Sequence, residues 1–307
     1  MVQPTSPTPR ELPAWMRNKE RGSAFWLRVM SWLSLTLGRA CSRIVLFGIA
    51  LYFVAFARKA RAPSEAYLAR SLGRPATWRD RYRHVLAFAS TVHDRIYLLN
   101  DQFGRFDIEL VGAEQLHAEY GEGQGLLLFG AHLGSFEVLR AVARKKPDLR
   151  MSMAMFPENA QQINRALAAI NPRALQDIIP LGTLDAMLLV RSRLDEGRLV
   201  GILADRASGP DQYLTLPFLG APARFPTGPF RMAAMLKRPV YFMTGLYLGG
   251  NRYAVHFERL ADVTPGAGAG RDAVVAGLLT QYVAALERHC RAQPYNWFNF
   301  FDFWEQA

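Results

Sequence analysis

His132 and Glu137, with four residues between them in Gly130-Ala131-His132-Leu133-Gly134-Ser135-Phe136-Glu137, are the side chains of this sequence best suited to moving a proton. An imidazole changes charge near neutral pH, and a carboxylate beside it can fix its tautomer and stabilise its charged form. Together they make a general base and its orienting partner. Asp205-Arg206 forms a second polar pair, and Arg224 stands in a third stretch, Phe218-Leu219-Gly220-Ala221-Pro222-Ala223-Arg224-Phe225-Pro226-Thr227-Gly228-Pro229. Each admits a structural role as well. A histidine after a strand can be a satisfied polar group, a glutamate in a first helical turn is favoured by the helix dipole, and Asp205-Arg206 can be an ion pair or a loop cap. A serine or cysteine nucleophile is not required, because Gly134-Ser135 lies outside any Gly-x-Ser-x-Gly elbow. Cys41 and Cys290 are far apart, in no metal-like spacing, and suggest neither a zinc site nor a disulfide framework.

These residues need elements to position them. Leu126-Leu127-Leu128-Phe129 is an unbroken apolar run of the kind covered on both faces of a sheet, and Val138 to Arg144 reads as the helix after it. His132 then falls at the carboxyl end of a buried strand, where open α/β sheets keep their ligand crevices. Leu199 to Leu203 is a second such strand and ends at Asp205-Arg206, so a parallel sheet delivers both motifs to one edge. Amides at the start of the helix after His132 are candidates for stabilising an oxyanion.

The remaining chain alternates strand and helix. Phe106 to Val111 reads as a half-exposed strand and Gly121 to Gly125 as the turn into the central one. Strands are expected over Met151 to Phe156 and Ile178 to Pro180, and helices over Ala160 to Ile170 and Leu184 to Leu194. Val240 to Leu248 and Arg252 to Phe257 form a hairpin around Gly249-Gly250-Asn251, and a long helix runs from Arg271 to Arg291. Residues 218 to 229 read as an apolar, proline-stiffened loop feeding a helix whose first amides could face an anion. Such a pattern predicts an α/β fold with a mostly parallel central sheet flanked by helices. His84 and His93, in a helical region from Pro63 to about Asn100 broken at Gly73-Arg74-Pro75, read as surface or packing histidines.

The 307 residues carry a net charge of +11, and its location is informative. Residues 1–83 contain 15 Lys/Arg against 4 Asp/Glu, which accounts for the whole excess. The region bearing the candidate chemistry is neutral, which argues against nucleic acid as a partner. Met1 to Arg10, with Pro4, Pro7 and Pro9, reads as mobile. The apolar stretch Phe25 to Ala57, interrupted by Arg28, Arg39 and Arg43, carries Trp26, Trp32, Tyr52, Phe53 and Phe56 and is followed by Arg58, Lys59 and Arg61. Its cleanest part, Ile44 to Ala57, is shorter than the roughly 20 residues of a spanning helix. A tilted spanning helix with snorkelling arginines, a hairpin in the interface and a buried core helix remain alternatives; the aromatic and basic flanks favour membrane contact. Two parts are expected: a mobile N-terminus with a helical membrane-associating segment over residues 1–62, and a catalytic domain over 63–307.

His132-Leu-Gly-Ser-Phe-Glu137, Ala204-Asp205-Arg206, the proline-rich stretch 218–229 and the terminal Pro294-Tyr-Asn-Trp-Phe-Asn-Phe-Phe-Asp-Phe-Trp304 occur in one order. Together, over about residues 15–307, they resemble the lysophospholipid acyltransferase superfamily, in particular its bacterial branch related to lipid A late acyltransferases. The chain departs from the lipid A enzymes at Phe156-Pro157-Glu158-Asn159, where no arginine stands (the nearest is Arg165), and in the pattern around Ala204 to Gly209. In this it is similar to a sister group of acyltransferases.

The resemblance implies a glycerolipid acyltransferase-like fold at the cytoplasmic face of a bacterial inner membrane. It implies transfer of a fatty acyl group from acyl carrier protein or coenzyme A to a hydroxyl or amine of a lipid or glycolipid, with no metal and no cofactor. His132 and Glu137 are then the expected catalytic residues, and Ser135, Asp205, Arg206 and Arg224 the expected substrate-binding ones. Two other activities use the same features: a membrane-attached hydrolase in which the His–Glu pair activates water, and a non-catalytic membrane-surface module.

Overall fold

Two apolar runs, Leu126–Gly130 and Leu199–Leu203, lie side by side and parallel at the centre of a seven-stranded sheet. The computed structural model describes residues 24–304 apart from 122, 146–148, 157–169, 171–176, 183, 207–211 and 261–269. The expectations for Met1 to Arg10 and for a helix over Ala160 to Ile170 fall outside the described residues, save Ile170 itself.

The chain opens with α1 (Ala24–Phe56), α2 (Arg58–Leu72), α3 (Trp78–Leu99) and a single 3-10 turn at Phe103–Arg105. Then come β1 (Asp107–Val111), α4 (Ala113–Gly121), β2 (Leu126–Gly130), α5 (Phe136–Lys145), β3 (Met151–Met155) and β4 (Ile178–Pro180). The second half holds α6 (Leu184–Asp195), β5 (Leu199–Leu203), β6 (Tyr213–Phe218), β7 (Ala221–Pro226) and α7 (Gly228–Leu236). It closes with β8 (Val240–Gly249), β9 (Arg252–Arg259) and α8 (Arg271–Ala292).

The sheet order is β1-β9-β8-β2-β5-β3-β4, with every neighbouring pair parallel except the β8–β9 hairpin. Such a mostly parallel sheet must be covered on both faces. Along β2 the side chains alternate between two cores. Leu127 and Phe129 join residues of α2, α6, α7 and α8, while Leu126 and Leu128 join residues of α3, α4 and α5. That division explains why the run is apolar at every position.

Two features differ from the sequence expectations. The stretch 218–229 is not a loop: β6 and β7 form a separate antiparallel ribbon, turned by Leu219 and Gly220 at φ 50° and 79°. Both residues lie in the left-handed region that a two-residue hairpin turn demands. Pro217 and Pro222 sit opposite each other, and a two-stranded ribbon tolerates proline because each strand has a free edge. Helix α4, which the sequence reading did not identify, covers part of the α3–α5 face.

Helix α1 has an inverted surface. Ser31, Ser34 and Ser42 are buried, and Arg39 grips the buried Asp94 of α3 with two hydrogen bonds of 2.8 and 2.9 Å. Arg43 donates to Gly250 O and to the Tyr247 hydroxyl. Trp32, Ile44, Val45, Phe47, Leu51, Tyr52, Phe53 and Phe56 point outward and are exposed. Ser31–Phe56 is long and apolar enough to cross a membrane, with a mean hydropathy of 1.7, and only 17% of that window is buried. A core helix of a soluble protein would bury this face. The helix kinks at Gly38, whose φ of 80° breaks the helical path.

Candidate active site

Gly130 of β2 is in register with Leu203 of β5, so the residues two places beyond each strand, His132 and Asp205, emerge together. Ala204 N continues the ladder by donating to Gly130 O at 2.9 Å. Asp205 Oδ1 lies 2.8 Å from His132 Nδ1. Its Oδ2 accepts from the His132 amide at 3.1 Å and from Trp297 Nε1 at 3.2 Å. Both carboxylate oxygens are therefore occupied on a residue with no exposed surface. Burial alone would raise the Asp205 carboxyl; the charge and hydrogen bonds of His132, with Arg206 nearby, outweigh it and hold the group well below the usual carboxylate range. His132 itself keeps 38% of its side chain exposed. One face of the pair is anchored and the other is open to a reactant.

The loop that carries His132 is fixed from two sides. From β8, Gly245 O accepts from Ser135 N at 2.7 Å and the Thr244 hydroxyl donates to Leu133 O at 2.8 Å. From the C-terminal segment, Phe298 N donates to His132 O and Asn296 O accepts from Gly134 N, both at 2.8 Å. Helix α8 adds the Tyr282 hydroxyl, which donates to Gly130 O at 2.8 Å. Gly134 has φ 74°, and a Cβ there would meet Gly245 O at 2.1 Å, so only glycine fits. The Gly134 and Ser135 amides, which precede α5, are thus engaged by these carbonyls.

The other candidate residues divide. Glu137 is nearly buried in the first turn of α5, where its carboxylate forms an ion pair of 3.0 Å with Arg95 of α3. The carboxylate on His132 Nδ1 is thus Asp205, while that of Glu137 joins α5 to α3. The Ser135 hydroxyl is buried beside the motif with no hydrogen-bond partner among the described residues. Arg206 donates to Phe298 O at 3.2 Å and Asn299 Oδ1 at 3.3 Å, and lies 4.6 Å over the Phe301 ring. Burial lowers the Arg206 pKa against the pull of Asp205. Its contacts bind it to the C-terminal segment. Arg224 stands on the β6–β7 ribbon with its guanidinium 4.6 Å over Tyr213.

Trp297, Asn296, Gly245, Arg95 and Tyr282 support the site without having been singled out individually in the sequence. Trp297 lies inside the terminal aromatic motif and is fully buried, packed edge-on against Tyr67, Phe218 and Phe303. The two histidines of α3 are packing residues. His84 is buried between Ser64 Oγ at 2.8 Å and Trp297 O at 2.9 Å, and His93 Nε2 meets Ser42 Oγ at 2.9 Å.

A family model described as bacterial lipid A biosynthesis acyltransferase matches residues 21–305. A comparison with curated proteins finds no match.

Proposed function

Because the chain belongs to the bacterial lipid A biosynthesis acyltransferase family and is an acyltransferase, we propose that it moves a fatty acyl group from a thioester to a hydroxyl or amine of a lipid or glycolipid, with His132 as general base. The observation that carries this reading is the half-exposed imidazole of His132 seated on the buried carboxylate of Asp205. With Nδ1 protonated and donating to Asp205, Nε2 is the basic nitrogen. It takes the acceptor's proton as the acceptor oxygen or nitrogen attacks the thioester carbonyl. The tetrahedral intermediate then expels the carrier thiolate, and the proton held on the imidazole leaves with it. Asp205 stays ionised throughout and stabilises the imidazolium.

Glu137 acts in this scheme by holding α5, and with it the His132 loop, against Arg95. The Ser135 hydroxyl contacts a substrate at the loop, Arg206 keeps the C-terminal segment over Asp205, and Arg224 meets an acidic or phosphate-bearing part of the donor. Acyl carrier protein and acyl-coenzyme A both supply a thioester of this kind. Residues 1–62 serve as the membrane attachment and 63–307 as the catalytic domain, working at the cytoplasmic face of an inner membrane. The exposed apolar face of α1 supports the attachment. Joining a lipid acceptor to a bulky donor needs both held together, and direct transfer draws most of its rate from that positioning.

The test is mass spectrometry of membrane lipids from cells with the wild-type chain and with His132→Ala. One acyl chain missing from a lipid in the variant supports the proposal. Unchanged lipids refute it, and release of free fatty acid without an acylated product points to hydrolysis instead.

A further inference from the structure

Three metal-ligating side chains that acyl transfer leaves unused meet between β9 and α8. His256 and Glu258 are two residues apart on β9 and so share one face of the sheet. Helix α8 packs on that face and carries His289. One ligand atom from each of the three residues lies within 4.8 Å of the others. His289 Nε2 is 2.5 Å from Glu258 Oε1, and the imidazoles of His256 and His289 have centroids 4.8 Å apart at 60°. Phe242 stacks on His289 at 5.5 Å and 11°, which fixes the plane of that ring.

We propose that His256, Glu258 and His289 form a binding site for a first-row divalent cation, zinc foremost. Two imidazoles and one carboxylate are a donor set that zinc accepts with bonds of about 2.0–2.2 Å, which places ligand atoms roughly 3.3 Å apart. The present spacing brackets that value, so rotamer-scale shifts suffice. Magnesium and calcium prefer oxygen ligands throughout and fit poorly. The register of β1 on β9 sets Glu109 beside Ala254 and Val111 beside His256, so Glu109 adds a second carboxylate on the same face. Arg288 opposes the cation through its ion pair with Glu258. Its side chain is 57% exposed, however, and can turn into solvent.

The site would clasp α8 to the sheet near the catalytic loop. His256 is in register with Thr244, which holds Leu133 O, and α8 also supplies the Tyr282 bond to Gly130 O.

The experiment titrates full-length, tag-free protein in detergent, stripped with chelator and dialysed, with zinc by isothermal calorimetry, with magnesium in a parallel arm. One zinc per chain is expected, with no saturable magnesium binding and a higher Tm in zinc. His256→Asn and His289→Asn should each weaken zinc by roughly tenfold or more, while His132→Ala binds as the wild type does. Glu258→Gln, which keeps the side chain's shape, carries the comparison if circular dichroism shows that a histidine variant fails to fold. Absence of saturable zinc binding by the wild type, or equal binding by the wild type and the ligand variants, overturns the proposal.

Discussion

Asp205 holds both the ring and the backbone amide of His132, at 2.8 and 3.1 Å. One carboxylate thus sets the imidazole's tautomer and the position of the main chain that bears it. Since Asp205 follows β5 and His132 follows β2, the geometry depends on the register of two central strands. A base built this way is stiff, because moving the histidine requires breaking the sheet ladder or the C-terminal segment that lies across it.

Gly134→Ala tests that stiffness. The left-handed backbone and the approach to Gly245 O at 2.1 Å leave no room for a methyl group. The substitution should cost roughly 2 kcal/mol or more, read as a fall in the denaturant midpoint. Acyl transfer by the remaining folded protein should also drop, because the His132 loop must shift to relieve the clash.

The Glu137–Arg95 pair should behave as a support. Removing Arg95 strands the nearly buried carboxylate of Glu137, at a cost of roughly 1–3 kcal/mol, whereas the partner guanidinium is 32% exposed and loses less. A double-mutant cycle with Glu137→Gln and Arg95→Gln should show coupling of about 1 kcal/mol. Activity in Glu137→Gln should exceed that in Asp205→Asn; the reverse order would return Glu137 to the role of the imidazole's partner.

His84 predicts how stability responds to acid. Burial lowers its pKa from 6.5 to about 4. Above pH 6.5 the residue is neutral in both states and contributes no pH dependence. Between pH 6.5 and about 4 the unfolded chain binds a proton that the folded chain refuses, so stability falls with pH, by about 3 kcal/mol for this group. Urea denaturation of His84→Asn should show a shallower loss over the same window.

Membrane attachment through α1 can be measured by flotation with anionic vesicles. Ile44, Phe47 and Phe53 each expose an apolar side chain outward. Replacing any one with Ser should weaken partitioning by roughly tenfold, on the order of 1.4 kcal/mol of lost apolar burial. Partitioning that survives replacement of all three would exclude this face as the contact.

Much of this fold was legible in the sequence. Leu126–Phe129 and Leu199–Leu203 are apolar at every position because both faces of each strand are buried, and that pattern can be read without coordinates. It also brought His132 and Asp205-Arg206 to one sheet edge. The imidazole's partner was harder, because Glu137 is close in sequence whereas Asp205 is close through strand pairing, and register is not written in either strand alone. Prolines concealed the β6–β7 ribbon, although Leu219-Gly220 between two extended runs was a usable turn signal. The contacts of Arg206 with Phe298, Asn299 and Phe301 join residues about ninety positions apart and could not be read from its own motif.

The most direct test of the account is acyl transfer by Asp205→Asn, assayed with an acyl thioester and membrane lipid. Asparagine keeps the side chain's shape but removes the charge and favours the wrong imidazole tautomer; in serine hydrolase triads the equivalent change costs roughly 10⁴ in kcat. We predict that kcat falls by at least about a hundredfold with KM little changed and the circular dichroism spectrum preserved. A folded Asp205→Asn protein that transfers acyl groups at the wild-type rate would contradict the assignment of His132 and Asp205 as the catalytic base and its partner.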